Sequence, residues 1–352
     1  GRLAHIFFGE NILFSNGHDW QFFRRTCTPA FKHGWNLQVF EQTIQRLIDQ
    51  WNKLGSEPIS VGPWFERYAL DSLGLSIFTT EFGSILDANS PFAVLYRTIM
   101  ENILRFKYLL FNKLDFRANP YRKPIYDMVD DFDRLFYGLI QERREAKARG
   151  DVLPRDLLTS FLEEHKSVDE AGAKILRVMT DKELRDNLSA FILAGHDTAM
   201  VSLSTAMYLL GMDQSVQSKA RQAVLEAIGG SEGAETLMHI PYLDAVIRET
   251  LRLYPPAARL MERTTTKDVM MPSGDLLPKG THVIGNLYAI HRDPAVWGED
   301  VEEYKPERHL TPDGQEMTSA SSNSFVAFAS GPRTCLGMTF AMAEMRVALA
   351  RL

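Results

Sequence analysis

Cys335 has the clearest chemical potential in this chain. It lies in Phe328-Ala-Ser-Gly331-Pro-Arg333-Thr-Cys335-Leu-Gly337, a run of turn residues leading into a helical pattern that begins near Leu336. A cysteine near a helix start feels the positive end of the helix dipole and the nearby backbone N–H groups. Arg333 adds a cation two residues upstream. These influences favour thiolate over thiol. A single thiolate, with no second Cys or His at ligand spacing, does not suit zinc, which takes four protein ligands or three and a water. It suits the axial position of a haem iron, where thiolate donation promotes O–O cleavage. The other cysteine, Cys27, has no such neighbours and reads as a buried, inert residue.

Three other spacings can support such a centre. Ala194-Gly195-His196-Asp197-Thr198 falls midway along an apolar helical stretch. Glycine there costs about 1 kcal/mol against alanine. It permits close approach of a ligand, and Thr198 can bond back to a carbonyl and bend the helix. Glu249-Thr-Leu-Arg252 puts a carboxylate and a guanidinium on one helix face, usually no more than a weak surface pair. Trp20-Gln-Phe-Phe-Arg24 spaces an indole N–H and a guanidinium so that both can donate to one carboxylate.

Together these stretches resemble the cytochrome P-450 family. Residues 328–337 carry every fixed position of that family's haem-binding loop, Phe-x-x-Gly-x-Arg-x-Cys-x-Gly. The resemblance implies haem b (iron protoporphyrin IX) with Cys335 as its iron ligand and Phe328, Arg333 and Gly337 in the cofactor-binding loop. It implies that Thr198 and Asp197 handle oxygen and protons, and that Trp20 and Arg24 hold a propionate. Arg263, after Pro255-Pro256, resembles a further propionate arginine, with Arg259 as its competitor. Glu249, Arg252 and Arg308 resemble the buried triad that fixes the core beneath the haem. His196 reads as a polar residue accommodated in its helix, and His291-Arg-Asp-Pro294 and Trp297-Gly298 read as structural.

The implied activity is that of a haem-thiolate monooxygenase, which inserts one atom of O2 into an apolar organic substrate. No Walker loop or dinucleotide fingerprint occurs in residues 1–352, so electrons are expected from a separate protein or from a part of the protein outside these residues; the resemblance implies an NADPH-dependent flavoprotein reductase. Two alternatives keep the haem: a peroxide isomerase needing no external electrons, and an inactive haem-binding fragment. The style of the sequence resembles eukaryotic microsomal members. This implies the cytoplasmic face of the endoplasmic reticulum membrane, with an anchor upstream of Gly1.

The elements that must position these residues are mostly helical. Apolar spacing marks helices over 36–54, 64–78 and 121–149, with Gly55 and Gly150 as stops. Thr180-Asp-Lys-Glu183 is a capping box opening a long, largely apolar helix that continues to about Gly211. Asp213 caps a helix to Ile228, broken by Gly229-Gly230, and Pro241 starts another that ends before Pro255-Pro256. Short β-like pieces follow over 259–286, then a polar loop over 311–324 and a final helix. The expected fold is mainly α with small β-sheets, the cytochrome P-450 fold. Residues 1–352 are read as one such domain, incomplete at both ends. A net charge of −6 argues against an electrostatic hold on nucleic acid, and no 20-residue apolar run is long enough to span a bilayer.

Overall fold

The computed structural model describes residues 2–32, 34–103, 105–163, 165–168, 174–229, 233–314 and 324–352. Helices account for most of it: α1 (Arg2–Phe8), α2 (Gly17–Lys32), α3 (Leu37–Lys53), α4 (Val61–Phe78), α5 (Pro91–Ile103), α6 (Phe106–Leu110), α7 (Lys123–Arg149), α8 (Leu157–Phe161), α9 (Asp181–Met212), α10 (Gln214–Ile228), α11 (Pro241–Leu253), α12 (Leu287–Ile290), α13 (Pro294–Trp297) and α14 (Met338–Arg351). The strands are β1 (His165–Val168), β2 (Lys174–Arg177), β3 (Arg263–Thr264), β4 (Val269–Met270), β5 (Leu276–Leu277) and β6 (His282–Val283). They pair antiparallel as β1–β2, β3–β6 and β4–β5. The expected mainly helical class with small sheets is what forms.

The chain divides into two compact units. One comprises Gly1–Met200, Thr339–Glu344 and Arg351–Leu352; the other comprises Val201–Met338 and Met345–Ala350. In the first, α4 is buried along much of its length because Phe65, Tyr68, Ala69, Leu70, Leu73 and Ile77 leave few polar positions on its surface. Phe78 and Phe92 meet Phe136 and Phe132 of α7 in an aromatic cluster. Fully burying each such side chain is worth roughly 1.5–3 kcal/mol. In the second unit, Leu210, Val216, Ala220 and Val246 form a core cluster covered by Tyr242, Tyr304 and Leu349.

The caps follow local chemistry. Thr180 and Glu183 bond reciprocally: the Thr180 N–H donates to Glu183 Oε2 (2.9 Å), and the Glu183 N–H donates to Thr180 Oγ1 (3.2 Å). This capping box starts α9, whose 32 residues span ~48 Å at the usual helical rise. Asn36 and Asp213 cap α3 and α10 as their side chains allow. Gly150, at φ +78, ends α7 in the left-handed region open to glycine. The β-like stretch over 259–286 yields four strands of only two residues each, because its prolines and turns leave no room for longer ladders. Of the polar loop over 311–324, residues 315–323 lie outside the described residues, as does Gly230 of the pair that follows α10.

Candidate active site

The Cys335 segment is assembled from tight turns. Ala329, at φ +59, donates its N–H to Val326 O (2.8 Å). Gly331, at φ +72, opens a 3-10 turn through Arg333. Thr334 returns both its N–H (3.0 Å) and its hydroxyl (2.7 Å) to Gly331 O. The Cys335 N–H then closes onto Phe328 O at 2.8 Å. The result is an exposed Cys335 three residues before α14, with Phe328, Arg333 and Gly337 half-buried around the loop. Cys27, by contrast, is wholly buried in α2, and burial pushes its thiol far above the ordinary range.

A buried histidine ties down the start of this loop. His291 Nε2 accepts from the Val326 N–H at 3.0 Å, so Nδ1 carries the proton and donates to Arg252 O at 3.1 Å. The bond that Nε2 accepts needs the neutral ring. Burial holds the imidazole down at about 4, against the opposing pull of the Arg252 carbonyl. His291 is therefore structural, as its motif suggests, but its particular task is to join the loop to the end of α11.

Arg252 is itself part of a fully buried network. Its Nε and Nη2 meet the two oxygens of Glu249 at 2.8 and 2.9 Å, and its Nη1 donates to His291 O at 2.8 Å. Arg308 Nε joins Glu249 Oε1 at 2.8 Å, completing the expected triad. His309 adds a fourth member, donating Nε2–H to Glu249 Oε2 at 2.9 Å. Burial alone would raise the Glu249 carboxyl, but its bonds to Arg252 and His309 outweigh that and hold it at about 2. Sequence reasoning missed His309; its only signal is its place one residue after Arg308.

In α9, the Thr198 hydroxyl donates to Ala194 O at 2.6 Å, the expected back-bond. Asp197 is exposed, and its Oδ1 lies 2.9 Å from Nδ1 of the buried His196. A Cβ at Gly195 would sit 2.8 Å from Leu73 Cδ2, so the glycine admits α4 against α9. Tyr96 of α5, in edge contact with His196, was also missed. The spacing of Phe92, Tyr96, Ile99 and Ile103 is the helical signal that could have found it.

Trp20 and Arg24 lie half-buried one turn apart on α2, while Arg25 and Lys32 are exposed. Arg263 opens β3 and is exposed, its Nη1 donating to Glu262 O at 3.2 Å. Arg259 is also exposed and sits on an isolated bridge to Asn286, so exposure does not separate the two arginines.

The donor chemistry fits haem. Among the described residues, no three His, Cys, Asp or Glu side chains converge as a metal cage. One accessible thiol can hold iron only where other ligands fill the remaining positions, as a porphyrin does. Guanidinium and indole N–H groups suit anionic propionates.

The comparisons with known proteins agree. The family model described as Cytochrome P450 matches residues 2–352. Cytochrome P450 4F2 of Homo sapiens is 30% identical over 374 residues, covering 97% of this chain and 68% of the relative. Cytochrome P450 4F3 of Mus musculus is 29% identical over 379 residues, covering 99% and 68%. Cytochrome P450 4F1 of Rattus norvegicus is 30% identical over 363 residues, covering 97% and 67%. The chain thus spans about two thirds of the length of these curated relatives. Neither the peroxide-isomerase reading nor the inactive-fragment reading is favoured by this kinship. The chain belongs to the cytochrome P-450 family: it is a haem-thiolate monooxygenase that, with haem b and electrons from a separate redox partner, inserts one oxygen atom of O2 into an apolar organic substrate.

Proposed function

We propose that residues 1–352 act as one cytochrome P-450 domain in which Cys335 ligates the iron, Trp20, Arg24, Arg333 and Arg263 hold the propionates, and Asp197 and Thr198 handle protons. The observation that carries this reading is the exposed Cys335, presented by the Phe328–Gly337 turns ahead of α14. Bound haem supplies the redox chemistry on oxygen; the chain supplies ligand, orientation and protons. The Cys335 thiolate donates charge to the metal. Phe328 and Gly337 belong to the loop that holds that sulfur in place. Thr198 spends its O–H on Ala194 O, which leaves its oxygen to act as an acceptor. Asp197 is exposed enough to exchange protons with water.

The partner in this reading is an NADPH-dependent flavoprotein reductase, drawn by exposed cations such as Arg25 and Lys32. The location is the cytoplasmic face of the endoplasmic reticulum membrane. No helix among the described residues is long and apolar enough to cross a membrane. Interfacial contact is supported by exposed Phe106, Leu110 and Phe111 interspersed with Lys107 and Lys113.

Carbonyl difference spectroscopy of the reduced, haem-loaded protein tests the ligand. Cys335→Ser is expected to abolish the thiolate-type band while far-ultraviolet circular dichroism stays unchanged; survival of the band in the serine variant overturns the assignment. For the partner surface, the double charge reversal Arg25→Glu, Lys32→Glu should slow reduction most at low salt. Unchanged reduction rates with unchanged salt dependence refute that surface.

A further inference from the structure

The helix that carries Asp197 also carries an imidazole with one nitrogen left over. An ionised carboxylate only accepts, so at 2.9 Å from Asp197 Oδ1 the His196 Nδ1 must donate. In the neutral ring Nε2 is then a bare acceptor. His196 is 4% exposed, and its Nε2 has no hydrogen-bond partner among the described residues. Tyr96 stands edge-on to it, with ring centroids 5.2 Å apart and planes at 83°. Tyr96 is 1% exposed, and its hydroxyl is likewise without a partner among the described residues. Burial, reinforced by the charges of Asp197 and Glu66, pushes the Tyr96 phenol well up, so it remains a donor. A buried donor and a buried acceptor on touching rings are each costly if left dry. A bridging water needs two or more polar partners, and the phenol and the imidazole supply them.

We propose that a buried water accepts from the Tyr96 hydroxyl and donates to His196 Nε2, making His196 a positioning residue that fixes the Asp197 carboxylate through Nδ1–H. The inference rests on the assignment of Asp197 to proton handling. The water locks the ring in the Nδ1–H tautomer. That tautomer holds one Asp197 oxygen in a fixed direction, and the other oxygen takes a proton from solvent and passes it on. The imidazole keeps the same single proton throughout, so no step depends on resetting it. Glu66, Arg67 and Arg97 line a cavity of about 130 Å³ together with Tyr96, and Asp197 is the charged neighbour on His196's own helix.

Nitrogen-15 NMR of the His196 ring in the haem-loaded, carbonyl-bound protein tests this directly. The expected spectrum has a protonated Nδ1 and a hydrogen-bonded, unprotonated Nε2, and Tyr96→Phe should shift the Nε2 resonance without changing the fold. An Nε2–H tautomer, or a resonance that ignores Tyr96→Phe, overturns the proposal. Product formed per electron consumed gives the second readout. His196→Leu should lower it several-fold and raise the solvent deuterium isotope effect. His196→Asn, whose amide can still donate from near the Nδ1 position, should recover part of the loss. Equal values for Leu and Asn would mean a merely structural role and refute the proposal. Asp197→Asn separates the two levels. If it changes neither quantity, the assignment of Asp197 fails; if it lowers coupling while His196→Leu does not, only the positioning role fails.

Discussion

At Glu249 the carboxylate is saturated: its oxygens accept twice from Arg252 and once each from Arg308 and His309, and the Lys305 N–H adds a fifth donor at 3.0 Å. Around His196, two buried atoms, the imidazole Nε2 and the Tyr96 hydroxyl, have no partner among the described residues. The Glu249 carboxylate has one arrangement that satisfies both of its oxygens, as a scaffold requires. The second region leaves a buried donor and a buried acceptor for a small polar molecule and sits one residue from an exposed carboxylate, as a place of proton traffic requires. The difference separates residues that hold a shape from residues that exchange something with water.

The comparison breaks most visibly at Glu249. Glu249→Ala leaves the buried Arg252 guanidinium without its carboxylate and should cost about 3–5 kcal/mol, read by denaturant unfolding and by faster haem loss. A smaller effect follows acidification. His291 has a folded pKa pressed down to about 4 from an ordinary 6.5, so the unfolded chain takes up its proton first. Its contribution is complete above about pH 6.5 and is lost as pH falls toward 4, amounting to about 2–3 kcal/mol. Stability measured across that range should decline in the native chain and decline less in His291→Gln. The Glu249 contribution follows at lower pH, fading from about 4.5 down to about 2.

The second region should respond in the opposite sense. Thr198→Ala removes the back-bond to Ala194 O, a neutral hydrogen bond whose loss should move the unfolding free energy by about 1 kcal/mol. Product formed per electron consumed should nevertheless fall by a much larger factor. Gly195→Ala sets overpacking against helix propensity. Its new methyl would come within 2.8 Å of the buried Leu73 side chain, a cost of about 1–3 kcal/mol that alanine's better propensity, about 1 kcal/mol, offsets in part, so denaturant unfolding should read a net loss of up to about 2 kcal/mol.

What could be read from residue order was local. The capping box at Thr180 and Glu183, the caps at Asn36 and Asp213, and the Glu249–Arg252 face all depend on neighbours within four positions, where helix geometry dictates the contact. The turn chemistry before Cys335 was equally visible. His309 and His291 meet Glu249 and Val326 across 60 and 35 positions, and no periodicity encodes such a meeting. Tyr96 escaped because α5 went unread, and its importance lies in touching a residue of α9 about 100 positions away. The contact that Gly195 makes with α4 was invisible for the same reason. A missing side chain announces that something comes close, but the tertiary packing decides that it is Leu73.

Ala329 has a practical consequence for anyone re-engineering this catalyst. It holds a left-handed backbone angle that its methyl group resists by roughly 1–2 kcal/mol, between two turns that leave it no alternative. Exchanging the methyl for hydrogen would relieve that tension. It would also hand the adjoining sulfur-bearing segment a freedom that a crisp electronic spectrum requires it to lack.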